Sequence, residues 1–132
     1  MTLTNETRQI IIENNIYKAH QAVKDAEMLL KANSFTGALN RIYYGIFYII
    51  SALAIKHKFS TSNHSQLIGW FNKNFVRNLK VERKIGKIVH YAFDQRMEGD
   101  YNVLSEFFYD DIADDFENMK KVISTVEKLI LE

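Results

Sequence analysis

Fourteen consecutive residues, IYYGIFYIISALAI from Ile42 to Ile55, carry no charge and only three tyrosines and a serine as polar groups. Crossing a bilayer takes roughly twenty residues, so the run reads as a helix enclosed by other helices and not as a membrane span. What surrounds it must also be helical. The 132 residues contain no proline to kink or end a helix and only five glycines to punctuate strands and turns. With 47% hydrophobic and 25% charged residues the chain matches a folded globular protein and excludes disorder. The expectation is one all-α domain over residues 1–132.

Apolar residues at Ile12, Ile16, Ala19, Val23, Ala26 and Leu30 follow each other in steps of three and four, the stripe of a long first helix. Asn33 and Ser34 interrupt it, and Ser34 is placed to accept N–H groups at the start of a second helix, about residues 34–58. The segment FSTSNHS reads as a loop, with Ser62 or Asn63 opening a short third helix that ends near Asn74 to Asn78. A fourth helix follows from about Lys80, with Val81, Ile85, Ile88 and Ala92 on one face, and stops near Gly99. Ser105 is a cap for the fifth, whose stripe is Ile112, Phe116, Met119, Ile123, Val126 and Ile130. The architecture expected is a four-helix up-down bundle with an additional short helix.

The opening MTLTNETRQIIIENN is polar and mixed, without the basic start and apolar core of a secretory signal, which makes a cytoplasmic protein the expectation. Without cysteine there is no disulfide, thiolate zinc site or cysteine nucleophile. The histidines at 20, 57, 64 and 90 lack metal-ligand spacing, and no Gly-rich phosphate loop occurs, so neither metal nor cofactor is expected. Seventeen basic against sixteen acidic residues exclude a generally basic nucleic-acid binder. The charges are nonetheless segregated. Eight bases and one acid lie between Lys56 and Lys87, nine acids and one base between Asp94 and Glu117. Either neighbouring helices attract through solvated faces, or the basic segment meets phosphate through Lys73, Arg77, Lys80, Arg83, Lys84 and Lys87 while the acidic one meets a protein.

Three segments, NRIYYGIFYIISAL, TSNHSQLIGWFNKNFV and AFDQRMEGDY, together resemble the HEPN family of small helical-bundle proteins. The likeness is to the prokaryotic branch with an A-Y-Y-A-x-F-like central helix, an S-x-H-S turn and an R-x-x-x-D-Y signature, and covers about residues 10–130. It implies a homodimer packed through the long helices, with the arginine-bearing segment near a cleft at the interface. Many members are metal-independent endoribonucleases with an R-x4-6-H motif, often paired with a nucleotidyltransferase-fold antitoxin in a toxin–antitoxin-like or defence system. Others are non-catalytic RNA- or nucleotide-binding or protein-interaction modules. Arg96 corresponds to the motif arginine.

The chain departs from that pattern at Tyr101, where R-x4-H would have histidine, and no histidine follows Arg96. Metal-free RNA cleavage needs a base for the 2′-hydroxyl, an acid for the leaving oxygen and a cation for the phosphorane. Arg96 supplies the cation through its bidentate fork. Tyr101 is ionised roughly one part in a thousand at neutral pH, and Asp100 is ionised but weakly basic. His64, in the S-x-H-S turn, is the histidine that space could supply, although it also reads as a cap or loop residue. His90 reads as a half-buried structural residue. Arg96 could instead pair with Asp94, Glu98 or Asp100, an exposed contact worth under ~1 kcal/mol. At least one of Tyr43 and Tyr44 must be buried with its hydroxyl bonded. Trp70, Phe71 and Phe75 read as core or dimer packing. In some family toxins a tyrosine just after the motif histidine is modified by the nucleotidyltransferase, and Tyr101 lies near that position.

Overall fold

Thr4 accepts the Thr7 N–H and so starts helix α1, Asn5–Lys31, which reaches further back than its apolar stripe required. The computed structural model describes residues 3–101 and 109–132, with the backbone alone for 96–101. Helix α2 is Phe35–Lys56, α3 is His64–Phe71, α4 is Arg83–Tyr101 and α5 is Tyr109–Leu131. No strand occurs among the described residues. The described residues are therefore all-α, with five α-helices. Asn63 opens α3 by accepting the Gln66 N–H. Ser34 precedes α2 but makes no side-chain cap bond, because its backbone belongs to the turn that closes α1.

That turn is one of three built alike among the described residues. The Ser34 N–H reaches Leu29 C=O and the Asn33 N–H reaches Leu30 C=O; Phe59 and Lys58 repeat this on Ala54 and Ile55, and Lys80 and Leu79 on Phe75 and Val76. Each is a Schellman closure, whose pivot residue takes a left-handed conformation usually supplied by glycine. Here the pivots are Asn33, Lys58 and Leu79, with φ of 58°, 63° and 56°. Asparagine tolerates this; for lysine and leucine it costs roughly 1 kcal/mol each.

Between α3 and the third closure, Asn72–Val76 forms a π-helical turn, with the Arg77 N–H on the Asn72 carbonyl at 2.9 Å. Consequently α4 begins at Arg83 rather than Lys80, and Val81 is buried ahead of it. At its other end α4 continues through Gly99 to Tyr101, beyond the expected stop. Ser105 lies outside the described residues.

Helix α2 packs against every other helix, and Ile49, Leu53 and Ala52 on it are wholly buried. By length and composition α2 could cross a membrane, with mean hydropathy 1.4 over its most apolar window, yet 56% of that window is buried inside the protein. The α5 stripe is buried throughout, from Ile112 to Ile130. In α1, Ile12, Ala19, Ala26 and Leu30 are buried, joined by Ala22, while Ile16 and Val23 are only partly covered. Lys56, at the end of α2, donates to the terminal carbonyls of α5 at Leu129 and Ile130, 3.0 and 2.8 Å away, satisfying groups that a helix end leaves open.

Candidate functional site

The π turn widens the backbone after α3 and brings Asn72, Val76 and Arg77 alike to one side, opposite α4. Between them lies a cleft with a cavity of about 690 Å³. Its floor is apolar, formed by Ile68, Phe71, Val76, Val89 and Phe93, and its rim carries Arg77, Arg83, Lys87 and His90. Ser65 and Asn72 add polar groups, and no carboxylate lines it among the described residues.

Two glycines shape the cleft. At Gly86 a Cβ would stand 2.8 and 2.9 Å from the Val76 methyls, so only glycine lets α4 settle onto the π turn here. At Gly69, on α3, a Cβ would meet nothing within 4 Å.

The six basic residues expected to meet phosphate do not stay together. Arg77, Arg83 and Lys87 line the cleft; Lys73, Lys80 and Lys84 do not. Lys80 holds its ammonium 5.3 Å from the Phe75 ring centre. Lys84 lies on a second groove, where Lys87 and Tyr91 of α4 oppose Asp111, Asp114 and Asp115 of α5. Here the basic and acidic segments do face one another. His90 is exposed on the cleft rim, which corrects the expectation of a half-buried structural residue. The sequence carried no signal for His90, Ser65 or Asn72, because only the packing of the π turn on α4 brings them to one cleft.

His64 is the first residue of α3, and its imidazole turns away from the cleft towards α2. Its Nδ1 lies 2.7 Å from the hydroxyl of Tyr43, which is 2% exposed. The Phe47 ring packs on it at 4.1 Å between centres. Tyr43 thus meets the requirement for a buried tyrosine with a bonded hydroxyl. The Tyr43 ring is also 6.4 Å from that of Phe93, which precedes Arg96 by one helical turn. Arg96, Asp100 and Tyr101 are carried on the last turns of α4; their side chains lie outside the described residues.

Phe71 and Phe75 are core residues. Trp70, half-buried, stacks on Phe59 with ring centres 5.4 Å apart and an interplanar angle of 4°. His57, beside Trp70 and Phe75, has its pKa lowered by partial burial and then by Lys56 and Lys80. Among the described residues no three histidines, aspartates or glutamates converge where they could hold a metal.

Asp115 is pushed up from the ordinary aspartate value of 3.8 to about 6, first by burial and then by the neighbouring carboxylates of Asp111 and Asp114. The folded state therefore holds this proton more tightly than the unfolded chain. Stability from this group is full below 3.8 and declines as pH rises through 6. Asp115→Asn is expected to stabilise the protein by about 1 kcal/mol at neutral pH, a figure discounted for the solvent reaching this half-buried group. At about pH 4 the two proteins should melt alike. Denaturant titrations at both pH values check this, and an equal gap at both would contradict it.

A family model described as the HEPN domain matches residues 12–131. The chain is 37% identical over 123 residues, covering 93% of each chain, to the "UPF0332 protein" of Thermotoga maritima. It is also 26% identical over 95 residues, 72% of this chain and 65% of the relative, to "Putative toxin MJ0142" of Methanocaldococcus jannaschii.

Proposed function

The chain belongs to the HEPN family, and from that membership we propose that it is the toxin-like member of a toxin–antitoxin-like or defence pair, acting on RNA without a metal. The observation that carries the RNA reading is the α3–α4 cleft. Three cations converge on an apolar floor, and among the described residues no carboxylate lines it to repel phosphate. The archaeal relative's name points to the toxin side of such a pair.

In this reading Arg96 holds the phosphorane charge, and His64 with Tyr43 stands beside the same end of α4. Asp100 and Tyr101 complete the group. The protein works in the cytoplasm as a homodimer, held in check by a nucleotidyltransferase-fold partner that also modifies Tyr101.

Two observations favour a non-catalytic module that binds RNA or a nucleotide, or docks a protein through its acidic segment. No histidine follows Arg96, and His64 already spends one ring nitrogen on Tyr43.

Expression of the wild type and of Arg96→Ala without any partner gene separates the two. A ribonuclease toxin is expected to arrest growth and fragment total RNA, both abolished by the alanine change at equal soluble expression. Healthy growth and intact RNA from both proteins would establish the module instead.

A further inference from the structure

The cleft holds more than phosphate binding requires. A surface that meets only a nucleic-acid backbone needs cations and donors on a solvated face. Here the cations stand around a depression of about 690 Å³ floored by Ile68, Val76 and Phe93, a size typical of sites that enclose a small ligand. A ligand fitting both parts is flat and apolar at one end and multiply anionic at the other.

Gly69 adds an independent observation. Glycine is unfavourable in the middle of a helix, and Gly69 has no positive φ and no close neighbour to demand it. Gly69 lines the cleft and the space beside it is open, so a large side chain there has room to lie over the opening. A residue that breaks a local rule without a packing reason marks a place where function sets the choice.

We propose that the α3–α4 cleft seats one unpaired base of single-stranded RNA, with Gly69 keeping its entrance clear. The proposal rests on the RNA reading above and names a part of it that the family likeness does not. Arg77, Arg83 and Lys87 take the phosphates flanking the seated nucleotide, while its ring lies on the apolar floor. The Asn72 amide offers both a donor and an acceptor to a base edge. A duplex keeps its bases stacked inside and presents only phosphate, so it reaches the rim but not the floor.

The test uses a fluorescent single-stranded RNA of about 12 nucleotides, the same strand in a duplex, and the same strand carrying abasic sites. The full-length wild type and Gly69→Phe are compared at one salt concentration. The wild type is expected to bind the single strand about tenfold more tightly than either the duplex or the abasic strand. Gly69→Phe should bind all three at the duplex level and melt no lower than the wild type, since its side chain meets open space; Gly69→Leu should agree with it. Equal affinity of the wild type for single strand and duplex would overturn the base pocket while leaving RNA binding standing. So would a Gly69→Phe protein that keeps the preference, or one that loses duplex binding equally. No binding of any RNA by the wild type at low salt would instead remove the RNA reading, and the pocket with it.

Discussion

Replacing Gly45 with leucine is expected to unfold the bundle under conditions where the wild type is fully native, at a cost of about 3 kcal/mol or more. Gly45 lies on α2 facing both α1 and α5. A Cβ there would come within 2.8 Å of the Met119 Sδ, 3.3 Å of the Ala22 Cβ and 3.6 Å of the Ile123 Cδ1. Ala22 is already the smallest side chain that could face it, and Met119, wholly buried, can yield to a methyl but not to a whole leucine side chain. A leucine must force at least one of the two neighbouring helices outward, opening the core along its length. Gly45→Ala should be far milder. Its single added carbon meets mainly a flexible thioether, and the roughly 1 kcal/mol gained in helix propensity offsets part of the clash. Chemical denaturation of the three proteins checks the ranking; a Gly45→Leu protein within about 1 kcal/mol of wild type would show that the helices adjust more freely than close packing allows.

Phe71→Ala should cost about 3–5 kcal/mol, by the loss of a large buried ring and the void it leaves. Phe71 is 1% exposed and stacks on Phe75 with ring centres 5.9 Å apart. Its position also gives the loss a location. Helix α3 rests on α2 and on its own π turn, so removing the ring should loosen α3 first. Amide exchange is expected to speed up most in residues 64–76, with α1 and α5 less affected. The cleft floor would go with it. Uniform acceleration across all five helices would instead mean that α3 unfolds only with the whole bundle. The contrast with Gly69→Phe is instructive, because two residues apart on one short helix, one change should spare the fold and the other should not.

Much of this architecture was legible from periodicity. The uncharged run in α2 required partners on every side, and the α5 stripe named its buried residues correctly, because a long helix with one apolar face has only one way to hide it. A start of α3 at Ser62 or Asn63 could be read because a side-chain cap is local chemistry, and Asn63 is the one that caps it. The ends were harder. Of the described Schellman closures, the first pivots on Asn33, where the apolar stripe visibly breaks, but the other two pivot on Lys58 and Leu79, residue types that announce no such turn. The π turn was invisible for a similar reason: Asn72–Val76, NKNFV, carries no residue that distinguishes a π turn from an α-helical one.

The candidate site divides along the same line. The sequence determined that bases crowd between Lys56 and Lys87, that Arg96 sits among acids, and that no histidine follows it, since these depend only on order along the chain. Which cations act together was decided by tertiary structure. Arg77, Arg83 and Lys87 meet because Gly86 lets α4 close onto Val76 and the π turn rotates Arg77 into line, while Lys84, one residue after Arg83, belongs to a different groove. Helical periodicity says which face of one helix is buried. The side chains that converge across two helices are set by their crossing and closest contact, for which a one-dimensional pattern has no symbol.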